Sequence, residues 1–327
     1  MKYQKLGNTD IEVSQVSFGA WGLGAGNVWS DMAVDVHMVE NLLDDAYELG
    51  INYIDTAPVY GIGHSETVLG QALKGRRDRF ILQTKCSLNW RNEGGEFEYV
   101  RDGYTVNRDH RAEAVRKDVE DSLERLCTDH IDALVVHRIS RTVPVQETVA
   151  ELNRLKEEGK IRAVLISNSQ PADLDEYEQY GYVAGVQEKF SLLDDANRAY
   201  FDTCSKYNAV FQVYGSLEEG FLAGPGILDR QFGPDDVRAK AKYMQEPYRK
   251  ALKDMYAGLE EMCQAHGCSF ANLVQAWTLR QYDALNLLTG FRRRHTMEDT
   301  CRVFDIRLND EEVSRISALA EAIKNIK

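Results

Sequence analysis

The sequence predicts an α/β protein in which eight parallel strands close into a (β/α)8 TIM barrel, with an N-terminal β-hairpin and long βα loops. Three observations carry this. Strand-like and helical signals alternate along the whole chain, which implies parallel order with right-handed crossovers. Several strand runs end on a polar residue, as the strands of a barrel do at the face where chemistry is done. The length, 327 residues, suits one such unit with loop insertions, since α/β barrels of about 250 residues or more form a single domain. One domain over 1–327 is the expectation.

The elements follow in order. Met1 to Val16, with Gly7-Asn8-Thr9-Asp10 in the middle, reads as a short hairpin plugging one end of the barrel. Strands are then expected at Val16–Gly19, Tyr53–Asp55, Phe80–Lys85, Ile131–His137, Arg162–Ser167, Gly185–Gln187, Val210–Tyr214 and Asn286–Thr289. Helical spacing fills the gaps. Val39, Leu42, Leu43, Ala46 and Leu49 share one face, as do Val115, Val119, Leu123 and Leu126. Three connections are long: Ala20 to Ala33, Ser87 to Asp109 and Gly215 to Gln245, after the first, third and seventh strands. Loops of that size in a compact domain are usually functional, and these overhang the catalytic face. Within the second, Asp102-Gly103 between alternating runs predicts a further hairpin.

Bulk properties exclude several classes. A hydrophobic content of 43% is ample for a core, and no apolar stretch approaches the ~20 residues that cross a bilayer. Met1-Lys2-Tyr3-Gln4-Lys5-Leu6-Gly7 lacks the apolar run of a signal peptide, so a cytoplasmic location is expected. The net charge of −13, from 52 acidic and 39 basic side chains, opposes binding to nucleic acid or anionic lipid. Cysteines at 86, 127, 204, 263, 268 and 301 show no Cys-x-x-Cys spacing and read as reduced thiols, neither a zinc site nor a disulfide framework.

Four polar groups at the ends of successive strand runs carry the chemistry: Asp55 and Tyr60, Lys85, and His137. A tyrosine hydroxyl, with a pKa near ~10 in water, exchanges a proton poorly at neutral pH. A nearby ammonium favours the phenolate, and a carboxylate holds that ammonium charged and oriented. Tyr60 with Lys85 and Asp55 therefore reads as a tuned general acid and base, with His137 hydrogen-bonding a substrate oxygen. Removing an alcohol's proton is useful only if a hydride leaves too, and no side chain accepts one, so a nicotinamide cofactor is implied.

Gly50-Ile51-Asn52-Tyr53-Ile54-Asp55-Thr56-Ala57 followed by Tyr60-Gly61-Ile62-Gly63-His64-Ser65-Glu66 resembles the signature of the aldo-keto reductase family. The likeness continues in order through Lys85, Asp132 to His137, Glu157 to Arg162, Ser167-Asn168, Gln187 and Leu288-Thr289-Gly290, and is strongest to a bacterial branch of inositol- and sugar-related reductases. It implies a (β/α)8 barrel and NAD(P)H-dependent reduction of aldehydes and ketones, or the reverse. The cofactor contacts it implies are Gly19, Ala20, Trp21, Asp55, Ser167, Asn168, Gln187, Tyr214, Gly215, Ser216, Leu217, Gly290, Arg292, Arg293, Thr296 and Asp299. Among them Ser167, Asn168 and Gln187 are placed on the nicotinamide carboxamide, and Tyr214 on its ring.

Gly290-Phe291-Arg292-Arg293-Arg294-His295, glycine and cations just before a helix, is the phosphate candidate. In the family the corresponding segment holds the adenosine phosphate of NADP, so NADP(H) is expected over NAD(H). Departures from the family pattern cluster beside the expected pocket: Arg138 where a Trp is frequent, Lys189-Phe190 for a more apolar pair, and Gly215-Ser216-Leu217-Glu218-Glu219 for a Ser-Pro-Leu run. They predict a polar substrate such as a sugar, sugar acid or cyclitol. Trp21, Trp29 and Trp90 would stack on its C–H faces, and Arg138 and Lys189 would meet hydroxyls or an anionic group. The protein is expected as a monomer or homo-oligomer. The alternative is a cofactor-sensing regulatory subunit, as in the potassium-channel β subunits that share the fold.

Overall fold

The computed structural model describes residues 1–24, 34–91, 94–233 and 236–326. Strands β1 (Tyr3–Lys5) and β2 (Glu12–Ser14) pair antiparallel as the expected hairpin. The barrel strands are β3 (Val16–Gly19), β4 (Tyr53–Asp55), β5 (Ile81–Cys86), β9 (Ile131–Val136), β10 (Ile161–Ser167), β11 (Gly185–Lys189), β12 (Val210–Tyr214) and β13 (Leu285–Gly290). They close in the order β10-β11-β12-β13-β3-β4-β5-β9, and each adjacent pair is parallel. Boundaries differ from expectation by one or two residues. Lys85 is followed by one more strand residue, and His137 lies one past β9, its N–H still bonded to the Cys86 carbonyl at 3.1 Å.

A parallel sheet is buried on both faces, so its strands are apolar nearly throughout. Outward residues such as Ile54, Leu82, Leu134, Val164, Val186, Phe211 and Leu287 meet the helices. Inward residues Tyr53, Ala133, Val135, Ala163, Leu165 and Val210 pack with Leu6, Ile11 and Val13 of the N-terminal hairpin, which stoppers that end. Each such aliphatic or aromatic side chain contributes roughly 1.5–3 kcal/mol when removed from water. The helix Val36–Glu48 buries Val39, Leu42, Leu43 and Ala46, the stripe read from sequence, and starts on the Asp35 carboxylate, which accepts from the Met38 N–H at 2.8 Å.

The second long loop is a three-stranded sheet of β6 (Leu88–Asn89), β7 (Glu96–Arg101) and β8 (Tyr104–Arg108), with the turn at Asp102-Gly103 as expected. In the first, Ala20–Leu23 forms a short 3₁₀ turn, and the third holds 3₁₀ turns at Pro225–Asp229, Val237–Lys240 and Lys242–Met244.

Asp132 fastens three strands at the end of the barrel away from the site. Its buried carboxylate accepts from the Leu82 N–H at 2.9 Å, from Arg77 at 2.8 Å and from Arg162 at 2.7 Å. Asp132→Ala would strip two guanidinium groups and a buried N–H of their acceptor. The variant should lose about 3 kcal/mol of unfolding free energy, measured by urea denaturation, and a midpoint equal to wild type would refute the role.

Candidate active site

The catalytic candidates converge at the carboxyl end of the barrel. Asp55 and Lys85 are each 1% exposed, and an ion pair taken that far from water is stable only with close geometry and further hydrogen bonds. Both conditions hold. Lys85 Nζ donates to Asp55 Oδ1 at 2.5 Å and to the Thr56 carbonyl at 2.8 Å, and Asp55 Oδ1 also accepts from Gln83 at 2.5 Å and Gln187 at 2.9 Å.

The ammonium lies 5.0 Å from the centre of the Tyr60 ring, which meets the His137 imidazole edge-on at 6.1 Å. Tyr60 is presented by a turn that only glycine completes. Gly61 has φ +63°, and a Cβ there would fall 1.5 Å from the Gly24 carbonyl oxygen.

Burial, then the Asp55 charge and the Tyr214 and Tyr99 phenols, pushes the Tyr60 phenol well above its ordinary value, against a downward pull from Arg101. Lys85 is itself lowered by burial, against the opposing pull of Asp55, and the resting phenol keeps its proton. His137 is driven well below its ordinary 6.5 by burial and by the Lys85 and Arg138 cations, so it is neutral at pH 7. Among the described residues its buried Nδ1 has no hydrogen-bond partner. The set therefore offers a protonated phenol and a neutral imidazole side by side, suited to delivering a proton onto a carbonyl oxygen.

Beside these groups lie the expected cofactor residues. Ser167 donates to the Gln187 carbonyl at 2.6 Å; Asn168 donates to the His137 carbonyl at 2.9 Å and to Ser167 Oγ at 3.0 Å, and accepts from the Tyr214 hydroxyl at 2.9 Å. Gly19 ends β3 next to Asp55 in register. Ala20 and Trp21 follow in the 3₁₀ turn, where the Trp21 ring tilts against Tyr60 at 6.4 Å. Gly215, Ser216 and Leu217 continue from Tyr214, and Gly290 closes β13. Arg292 reaches over Gly22, whose added Cβ would lie 3.5 Å from Arg292 Nε, and burial together with the Arg238 and Arg230 cations depresses its basicity. Arg238 is itself held by Asp236, whose carboxylate accepts from its Nε at 2.8 Å. Arg293 caps the helix Arg294–Cys301, where Thr296 donates to the Arg293 carbonyl at 2.7 Å. Asp299 is engaged by Ser269 at 2.8 Å and Asn272 at 3.0 Å.

The substrate candidates divide. Arg138 pairs with Glu98 at 3.3 Å, and Lys189 with Asp194 and Glu218, both at 3.2 Å, so each of these cations already holds an acid. Trp90 packs with Tyr60 and Tyr99 against Ala57, Val59, Leu88 and Val106, under the Arg125 guanidinium at 5.7 Å. Trp29 lies outside the described residues. Tyr99 and Arg101 were missed. Tyr99 packs with Tyr60 on the cluster of Ala57, Val59, Leu88 and Val106, the Arg101 guanidinium lies 5.5 Å over the Tyr99 ring, and among the described residues no carboxylate pairs with Arg101. The period of two along a strand ending at Asp102-Gly103 puts residues 99 and 101 on one face and was the available signal.

The model of the Aldo/keto reductase family matches residues 15–321. The chain belongs to that family. It is 34% identical to an NADH-specific methylglyoxal reductase of Escherichia coli, over 99% of this chain and 100% of that protein. To the aldo-keto reductase YhdN of Bacillus subtilis it is 31% identical, over 98% and 94%. Among solved structures, the glycerol dehydrogenase AKR11B4 of Gluconobacter oxydans superposes with a TM-score of 0.88 at 30% identity, over 99% of this chain and 97% of that one. For the holo aldo-keto reductase AKR11C1 of Bacillus halodurans the values are 0.77 and 27%, over 99% and 100%.

These likenesses overturn the expected preference for NADPH, since the Escherichia coli relative, matched end to end, is specific for NADH. The structure gives a physical reason for the misreading. Arg294 of the three-arginine run is spent on Asp45, Glu48 and Glu298 at 2.6–2.8 Å, so the run is not a set of three cations turned to a ligand.

Tyr60→Phe should cut carbonyl reduction by roughly 10²–10⁴ while the cofactor dissociation constant stays within a few-fold of wild type. Near-normal kcat would remove Tyr60 from the acid role. Because the phenol is raised, reduction should stay flat through neutral pH and fall only as pH climbs through that raised value, whereas alcohol oxidation, which needs the phenolate, should rise with pH. A reduction profile that falls between pH 7 and 9 would contradict the assignment.

Proposed function

We propose that this protein is an NADH-dependent reductase of short, oxygen-rich carbonyl compounds, with methylglyoxal and small hydroxy-aldehydes or ketones as the substrate class and Tyr60 as the proton donor. The observation that carries this is the buried Asp55–Lys85 pair lying under a protonated Tyr60, with a neutral His137 against its edge. The names of two relatives, a methylglyoxal reductase and a glycerol dehydrogenase, agree on three-carbon oxygenated molecules.

A reduced nicotinamide, when bound, would supply the hydride. The chain does the rest. Tyr60 gives its proton to the carbonyl oxygen as negative charge develops there, and His137 hydrogen-bonds the same oxygen and sets which face of the carbonyl is turned to the hydride. Lys85 stabilises the phenolate left behind, and Asp55 keeps that ammonium in place. Ser167, Asn168 and Gln187 would orient the carboxamide, Tyr214 would cover the ring, and Arg292 would meet the phosphates.

With Arg138 and Lys189 already paired to acids, Arg101, whose charge acts on the Tyr60 phenol, is the cation assigned to a substrate oxygen. Arg101→Met should raise KM for methylglyoxal by about tenfold, the discrimination expected when a polar partner is lost, and leave KM for propanal unchanged. Equal effects on both would place Arg101 outside the pocket. The parent reading is tested by stopped-flow mixing of the NADH-loaded protein with methylglyoxal, glyceraldehyde and dihydroxyacetone. Rapid loss of NADH absorbance is expected, and loaded NADH that survives every carbonyl would instead fit a cofactor sensor.

A further inference from the structure

The mechanism uses Asp55 and Gln187 but not the other polar side chains beneath them. Barrel interiors of this kind are ordinarily filled by bulky branched apolar residues, and here the layer below the catalytic groups is made of amides. Gln187, Gln212 and Asn286 stand in register on β11, β12 and β13, and Gln83 on β5 is the register partner of Asp55. All four are buried. Gln83 Nε2 donates to Asp55 Oδ1 at 2.5 Å and to Gln212 Oε1 at 2.7 Å, while its Oε1 accepts from the Tyr53 hydroxyl. Gln187 Nε2 donates to the same two oxygens at 2.9 and 2.6 Å. Gln212 Nε2 donates to Asn286 Oδ1 at 2.9 Å, where Ser17 Oγ also donates at 2.6 Å, and Asn286 Nδ2 reaches the Ser14 carbonyl of the N-terminal hairpin at 2.8 Å.

Buried amides are costly unless every donor and acceptor is met, and a fully met network fixes one orientation for each member. In this one the NH₂ groups of Gln83 and Gln187 both face the catalytic carboxylate, because the oxygen of Gln212 lies between them and turns both amides the same way.

We propose that Gln83 and Gln212 are positioning residues for Asp55: the amide layer supplies the carboxylate with N–H donors, and so sets where Lys85 stands beneath Tyr60. The proposal rests on the reductase reading for its activity assay, and a second readout frees it from that dependence. Two carboxyls sharing one site cannot both ionise easily, so one of them takes a proton at raised pH. Gln83→Glu therefore puts a competing charge against Asp55 when ionised and an O–H donor in place of the amide when protonated.

The test measures kcat and KM for methylglyoxal with NADH from pH 5.5 to 9.5, in wild type, Gln83→Met, Gln83→Glu and Gln212→Met. Gln83→Met should lower kcat by about tenfold or more at every pH, with KM for NADH within about threefold of wild type, the pattern of a lost transition-state contact. Relative to wild type at each pH, Gln83→Glu should be impaired at the alkaline end and recover at least tenfold at the acid end. Gln212→Met should lower kcat less than Gln83→Met, and a variant carrying both Gln83→Met and Gln212→Met should lose less than the product of the two single losses, since the residues act through one carboxylate.

Melting temperatures give the readout without turnover. A group whose folded pKa is raised contributes stability below its unfolded pKa and loses it as pH rises, so the melting deficit of Gln83→Glu should shrink on acidification. If wild type reduces no carbonyl, the reductase reading fails and the melting series alone judges the layer. Gln83→Met with wild-type kcat, or a Gln83→Glu variant whose activity and melting both follow the wild-type pH course, would overturn the proposal. Should Gln83→Glu fail to fold at any pH, the kcat of Gln83→Met and Gln212→Met decides.

Discussion

A charge pair placed inside a barrel constrains everything around it. Asp55 and Lys85 sit where water does not reach, and the penalty for bringing ions there is several kcal/mol each unless their remaining hydrogen-bonding capacity is used. The chain meets this with the Thr56 carbonyl for the ammonium and with the Gln83 and Gln187 amides for the carboxylate. Those amides then need partners of their own, and the demand passes down the barrel through Gln212 and Asn286 to the backbone of the hairpin at the far end. A polar interior follows from one buried carboxylate.

The same pair decides the state of its neighbours. Burial, then the Asp55 charge, keeps the Tyr60 phenol protonated, while burial, then the Lys85 and Arg138 cations, keeps His137 neutral. Acid and hydrogen-bonding partner thus differ from their free forms in opposite directions, the arrangement by which one site assigns two roles at one pH.

Much of this was legible because the signals were periodic or local. Strand and helix alternation placed every barrel strand within two residues, and the turn at Asp102-Gly103 announced its hairpin. Asp55, Tyr60, Lys85 and His137 could be gathered because each sits at a strand end, where topology alone brings them together. What escaped depends on tertiary distance. Pairing of Arg138 and Lys189 with nearby acids such as Glu188, Glu218 and Glu219 was the competing reading, and of these only Glu218 is a partner, of Lys189. Glu98 and Asp194 are the others, because nothing in the sequence says which acid a surface cation will choose. Arg294 misled for the same reason, its partners Asp45 and Glu48 lying almost 250 residues earlier. Gln83, Gln212 and Asn286 were passed over because each, alone, reads as an ordinary polar residue in a strand; only the register of the barrel aligns them.

The N-terminal hairpin has a consequence of its own. With Leu6, Ile11 and Val13 packed on the inward residues of the barrel, the molecule is a cup with one rim. On the proposed reading, substrate, product and the proton that recharges Tyr60 after each turnover would all pass that rim, beside the sheet of Glu96–Arg101 and Tyr104–Arg108 that packs with Tyr60. Traffic there is shared, so any change that tightens this roof around a substrate also slows the return of solvent to the phenol.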